Sequence, residues 1–301
     1  MNPLQTISAV PALPPRAANG HKGTFGKVLV VAGSTGMSGA AVLCGLGALR
    51  GGAGLVQVAT PAPVQPVVAA SNPCYLTAAL PAGADGALAP DADRPLLELA
   101  AATDVVAFGP GLGRGPAVAH VLQSLLDEVD RPLVIDADGL HALGGILSAS
   151  PQLQRVVPPV CTPHPGEFAR LLGTTIDAVQ ADRASLAARF AAERGVILVL
   201  KGQGTVVTDG ARLYVNATGN PGLATGGTGD VLTGLVAALI AQGLDPFEAA
   251  VAGVYLHGLA GDLARDALGE TALIATDVID CLPAALKRHA AAKAGRMGFG
   301  L

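Results

Sequence analysis

The chain has 301 residues and a formal charge of −4, with 50% hydrophobic, 14% charged and 3% aromatic residues and no Trp. This balance excludes disorder over most of the length, and the absence of basic clusters leaves no electrostatic footprint for nucleic acid or an anionic membrane. A small-molecule partner and a core of Ala, Val and Leu are expected.

The length allows one large α/β domain or two small ones, and a single domain of this size buries roughly 75% of its unfolded surface. Residues 1–22 contain PALPP and no apolar segment of signal-peptide type, so an irregular N-terminal segment is expected there. Cys44, Cys74, Cys161 and Cys281 lie far apart and read as small buried hydrophobes in a reducing cytoplasm. The two most apolar windows, Ala40 to Leu49 and Val231 to Ala241, fall far short of the ~20 residues a membrane span needs.

In chain order, Lys27 to Ala32 (KVLVVA) is a continuous apolar run that suits a strand buried on both faces. Gly33 to Gly39 then turns into a small-residue helix, Ala40 to Arg50, and a second strand follows at Leu55 to Thr60. Further strands are predicted at Tyr75 to Leu80, Asp104 to Phe108, Leu133 to Asp136, Val160 to Thr162 and Val196 to Leu200, with helical patterns between most of them. Strands that alternate with helices imply a mainly parallel sheet covered on both faces. Thr205 to Thr208 and Arg212 to Val215, joined by Asp209-Gly210, read as a hairpin. Helices are predicted at 229 to 242, 245 to 264 and 276 to 288, with a frayed, flexible tail at 291–301. No linker or repeat divides the chain, so 23–290 is expected to form one catalytic domain.

Asn216 to Ala241 carries the densest signal. Six glycines fall between Gly219 and Gly234, and an apolar helical pattern starts directly after Asp230. A glycine-rich turn feeding a helix presents free amides and the positive end of the helix dipole, which together suit a phosphate. Gly227, Thr228 and Gly229 are the expected anion hole. Asp230 either caps the helix or faces the group that attacks the phosphate, and at the positive end of a helix it should stay ionised.

Ligands of an open parallel sheet bind at the carboxyl ends of its strands. The unusual segments GPGLGRG, DADGL, TPHPGE and KGQGT all follow predicted strands, which implies one composite site. Each also has a structural reading. Asp136 or Asp138 could cap the next helix. His164, between two prolines, could contact a ligand or make a structural hydrogen bond. Glu167 could cap its helix or hold magnesium, which needs only one or two carboxylates plus phosphate oxygens. Lys201 ends a buried strand beside a glycine turn, where it could meet a phosphate or reach solvent. His257, in an apolar helical segment, reads as a satisfied core histidine.

Taken together and in this order, KGTFGKVLVVAGS, MSGAAVLCGLGALRGGAG, GPGLG, TPHPGE, LKGQGT and NPGLATGGTGDVLTG closely resemble the NAD(P)H-hydrate dehydratase family. The match runs from about Lys22 to Leu286. The resemblance implies a ribokinase-like three-layer α/β/α fold with a mainly parallel central sheet and helices on both faces. It implies dehydration of the S form of hydrated NADH or NADPH, by phosphorylation of the added ring hydroxyl and elimination of phosphate. ADP, giving AMP, is expected as co-substrate from the apparently bacterial single-domain form, with ATP as the other option.

On the positions that match, the resemblance places Lys201, Gly202, Gln203, Gly204, Thr205 and Gly229 on the nucleotide. Ala41, Gly111, His164 and Asp230 fall on the hydrated cofactor, with Asp230 as catalytic base. Magnesium is expected, with Glu167 as its anchor. A separate epimerase for the hydrated cofactor and a homo-oligomer, a tetramer, are also implied. The rival reading is a vitamin-precursor kinase of the same fold, which shares the Gly-x-Gly-Asp anion hole. Such kinases commonly have Asn where this chain has His164. A nucleotide-binding sensor would need no carboxylate at the position of Asp230.

Overall fold

The apolar runs become strands because each is sandwiched between two helical layers. The computed structural model describes residues 4–297. Its strands are β1 (Gln5–Ile7), β2 (Lys27–Val31), β3 (Leu55–Pro61), β4 (Leu76–Leu80), β5 (Val105–Phe108), β6 (Leu133–Ile135), β7 (Val160–Cys161), β8 (Ile197–Leu200), β9 (Val206–Thr208) and β10 (Arg212–Val215). The helices are α1 (Ser38–Arg50), α2 (Gln65–Ser71), α3 (Asp93–Ala101), α4 (Pro116–Glu128), α5 (Asp138–Ala149), α6 (Pro165–Leu172), α7 (Ile176–Ala181), α8 (Arg183–Arg194), α9 (Thr228–Ala241), α10 (Pro246–Leu268) and α11 (Ala275–Met297).

All ten strands form one sheet, in the order β1-β10-β9-β8-β7-β6-β5-β2-β3-β4. The block from β8 to β4 is parallel, and β9 runs antiparallel to both β8 and β10. Along β2, Val28 and Val30 face the core shared with α1, α9, α10 and α11, while Leu29 and Val31 face the core shared with α3, α4, α5 and α8. This alternation makes three layers, as expected. The chain leaves β2 towards β3 and β4, then returns to β5 on the other side. Strand order therefore reverses between β2 and β5, the point where open sheets of this kind bind ligands. There the two loops are tied together: Gly33 N donates to Pro110 O at 2.8 Å and Ser34 Oγ to Gly111 O at 2.8 Å.

Helix α9 is buried on nearly every side, as a helix that is apolar all round must be. It packs so closely on α1 that a Cβ on Gly47 would run into Val231 O, and one on Gly234 into Cys44 O. The small residues of both segments are thus a packing requirement.

Three local expectations are corrected. Within 1–22, expected to be irregular, Gln5–Ile7 pairs in parallel with β10, and His289 Nε2 meets Pro11 O at 2.8 Å. A three-residue edge strand has no periodicity to read. The helix expected to end at 288 continues to Met297 through Pro283, and 298–301 of the expected tail lie outside the described residues. Cys74 is exposed, whereas Cys44 and Cys161 are buried. Among the described residues, no helix is long and apolar enough to cross a membrane.

Candidate active site

The glycine-rich turn delivers Asp230 to the start of α9 without using it as a cap. The N-cap is Gly227, at φ 92, and no side chain caps the helix. Among the described residues, no hydrogen bond reaches the Asp230 carboxylate, and a Cβ on Gly226 would meet nothing within 4 Å. The turn before α9 is therefore open at Gly226, and Asp230 is not engaged in capping the helix. The capping alternative for Asp230 falls away.

The expectation that Asp230 stays ionised is also corrected. Desolvation raises its pKa first, and the neighbouring Asp136 adds to this, so that it is pushed up to about 7 despite the opposing charge of Lys201.

Gly227 is constrained twice, by its positive φ and by Leu43, which a Cβ would strike. Gly227→Ala is expected to lose about 1–3 kcal/mol of stability, seen as a lower midpoint in urea at unchanged slope.

Lys201 directly follows β8, and its Nζ lies 2.8 Å from Asp136 Oδ1. A Cβ built on Gly229 would lie 3.2 Å from that same Nζ, so the ammonium stands against the start of α9. Burial alone would lower the Lys201 pKa. Asp136, Glu167 and Asp230 together outweigh burial and raise it, so the side chain stays cationic. Thr233 Oγ1 donates to the other oxygen, Asp136 Oδ2, at 2.7 Å. Neither Asp136 nor Asp138 caps α5 through its side chain, contrary to the structural reading of DADGL. Ala137 between them has φ 49, the only positive φ outside glycine among the described residues. Such a conformation costs of order 1–3 kcal/mol. Asp136 turns to Lys201, and Asp138 accepts from Gly113 N at 2.8 Å and Arg114 Nε at 3.3 Å.

His164 and Glu167 close a capping box at α6. His164 Nδ1 accepts from Gly166 N at 3.0 Å and Glu167 N at 3.3 Å, and Glu167 Oε2 accepts from His164 N at 2.8 Å. Nδ1 is thus an acceptor, which leaves the proton of the neutral ring on Nε2, 3.4 Å from Glu167 Oε1. Burial lowers the His164 pKa, against the pull of Glu167. Glu167 takes the capping reading. Among the described residues, no group of three or more His, Cys, Asp or Glu is placed to hold a metal ion.

Ala41, near the start of α1, is fully buried, backbone and side chain alike. Gly111, at φ 65, sits in the loop tied to Ser34, facing Ala40 and Met37. Gly202 and Gln203 are exposed, and Thr205 Oγ1 donates to Gly202 O at 2.9 Å. Arg183 Nη2 holds this loop from beneath, donating to Leu200 O at 2.8 Å and Lys201 O at 3.1 Å. Its role left no signal in the sequence, because an arginine at a helix start reads as a solvated charge. His257 is the satisfied core histidine expected. Its Nε2 lies 2.9 Å from Thr228 O, and burial brings its pKa down to about 4. As a neutral donor it fixes the backbone at the start of α9.

A parallel sheet between helical layers, with a lysine and an aspartate converging on a glycine-rich helix start at the strand ends, defines a protein of the ribokinase-like superfamily. Within that class, a model of the NAD(P)H-hydrate dehydratase family matches residues 28–284, and the chain belongs to this family. It is 49% identical over 280 residues to the bifunctional NAD(P)H-hydrate repair enzyme Nnr of Moorella thermoacetica, covering 91% of this chain and 52% of that enzyme. It is 41% identical over 271 residues to the ADP-dependent (S)-NAD(P)H-hydrate dehydratase of Neisseria meningitidis, covering 88% of this chain and 86% of that protein. The ADP/ATP-dependent NAD(P)H-hydrate dehydratase of Bacillus subtilis, co-crystallized with ATP/Mg2+, superposes with a TM-score of 0.78 at 34% identity, over 92% of this chain and 94% of that one. The chain spans about half the length of the first of these relatives.

Proposed function

We propose that this chain restores NADH and NADPH from the S form of their hydrates, using ADP or ATP to phosphorylate the added ring hydroxyl and then releasing phosphate. One observation carries the reading. Asp230, half-buried and not used as a cap, stands at the glycine-rich start of α9 with the Lys201 ammonium beside that turn, and burial pushes its pKa up to about 7. A base for an alcohol works best with a pKa close to the working pH. The family match favours a hydrate over a vitamin precursor as the acceptor.

In the proposed reaction, Lys201 and the loop to Thr205 hold the nucleotide, with Gly202, Gln203 and Gly204 at its edge and Gly229 on its phosphates. The hydrate lies over Ala41, Gly111 and His164, with its hydroxyl on Asp230. The oxygen–phosphorus bond forms as the bond to the leaving nucleotide breaks, and AMP departs when ADP is the donor. Phosphoryl transfer of this kind is loose, so Asp230 mainly aligns the hydroxyl and accepts its proton late. The amides of Gly227, Thr228 and Gly229, with Lys201, stabilise charge on the transferring group. The ring nitrogen's lone pair then expels phosphate, and loss of a proton from the adjacent carbon restores the dihydronicotinamide.

Magnesium would neutralise charge on the nucleotide phosphates. Glu167 already uses its carboxylate in the capping box, so it suits the ion only through bridging water, and no protein cage is implied. We further propose a homo-oligomer, a tetramer, working in the cytoplasm together with an epimerase activity for the other hydrate epimer.

The deciding assay is absorbance of the dihydronicotinamide band with acid-hydrated NADH, magnesium and either ADP or ATP. Recovery with one nucleotide and none without it supports the reading. Consumption of nucleotide only when vitamin precursors are offered would replace it with the kinase. Because Asp230 acts as the carboxylate, kcat/KM should fall about tenfold per pH unit on the acid side of a limb near pH 7. A profile flat to pH 5 would contradict this role.

A further inference from the structure

We propose that Asp136 is the positioning residue of the phosphoryl-transfer centre: one carboxylate oxygen holds the Lys201 ammonium against Gly229, and the other is locked to α9 by Thr233. The kinetic part of this inference rests on the function proposed above. The geometry stands by itself.

The Asp136 side chain is only 2% exposed, so it acts through its partners. Its two oxygens have two different partners from distant parts of the chain. Lys201 Nζ is at 2.8 Å and Thr233 Oγ1 at 2.7 Å, across sequence separations of 65 and 97 residues. Thr233 Oγ1 also lies 3.1 Å from Gly229 O. The carboxylate is therefore tied to the first turn of the helix that carries Asp230. The ammonium it holds stands against Gly229, within reach of any phosphate bound by that turn.

The bland alternative is a buried ion pair that only stabilises the fold. Such pairs are poor stabilisers compared with apolar packing. This one lies at the carboxyl ends of the strands, beside the only strained non-glycine backbone among the described residues, Ala137. Strain of this kind collects at functional sites.

The pair also sets the charge around Asp230. The groups facing it are Asp136, Lys201, Asp138 and Glu167. The Cys44 thiol on α1 and the His257 ring on α10 are both kept neutral by burial. Asp136 makes Asp230 harder to ionise, and Lys201 opposes this. Removing the charge of Asp136 should therefore move Asp230 downward from about 7.

The test compares wild type, Asp136→Asn, Lys201→Met and the double variant. It reads kcat and KM for the hydrate, ADP affinity by calorimetry, and the Asp230 titration by carbon NMR of labelled aspartate. For Asp136→Asn we expect kcat to fall by roughly 100-fold, with the hydrate KM within about threefold, ADP binding at least about tenfold weaker, and Asp230 titrating at lower pH. The double variant should lose no more activity than Lys201→Met alone, because Asp136 works through that side chain. Additive losses, or an unmoved Asp230 titration, would overturn the proposal. Should Asp136→Asn not fold, Thr233→Val carries the test. Its loss in kcat, about tenfold, must vanish in the Lys201→Met background, and a loss that persists there overturns the proposal. Wild type that restores no absorbance with either nucleotide would overturn the proposed function instead. The ADP affinities and the Asp230 titration would then still decide the role of Asp136.

Discussion

Asp230→Asn is expected to lower turnover by two or more orders of magnitude without loss of fold. Asn keeps the shape of the side chain and removes its capacity to take a proton, the role proposed for Asp230. No partner is orphaned, since among the described residues nothing hydrogen-bonds to this carboxylate. The stability effect should even be favourable. A carboxyl whose folded pKa is raised from 3.8 to about 7 costs the fold stability as pH rises through that window, a loss fully present above pH 7. The Asn variant should therefore melt at or above the wild-type temperature at pH 8, the pattern of a site that trades stability for activity. Turnover close to wild type would remove Asp230 from the mechanism.

The second large effect is expected at Lys201. Lys201→Met keeps the apolar stem but removes the ammonium 2.8 Å from Asp136, leaving a carboxylate that is 1% exposed with Thr233 as its remaining side-chain partner. Breaking a buried pair from one side typically costs about 3–5 kcal/mol. Lys201 is itself partly open to water at 20% exposure, so the lower end applies. Urea unfolding should show the loss as a reduced midpoint at constant slope. Adding Asp136→Asn should return most of it, since the uncompensated charge is gone. A single variant as stable as wild type would mean that water reaches Asp136 and that the pair is not a buried one.

Much of the fold was legible because its signals are local. Lys27–Val31, Leu55–Pro61 and Ile197–Leu200 lie within a residue of the predicted strands, since a strand covered on both faces needs an unbroken apolar run. The hairpin at Asp209-Gly210 and the start of α9 followed from turn chemistry and glycine in the same way. The edge strand Gln5–Ile7 did not, because three residues held by another strand's backbone carry no pattern of their own.

At the site, the sequence determined which residues stand at the strand ends and that Asp230 opens a helix at a glycine-rich turn. Only the tertiary structure decided what those residues do to one another. DADGL reads as a helix cap until Ala137 turns Asp136 towards a lysine 65 residues away. Glu167 reads equally as cap or metal ligand until its oxygens are seen closing on His164. Asp230 reads as an ionised carboxylate at a helix dipole until burial and Asp136 raise its pKa to about 7. Turn and strand preferences depend on neighbours a few residues away, which the sequence contains. Charge states depend on desolvation and on charges meeting across strands, which exist only once the chain has folded.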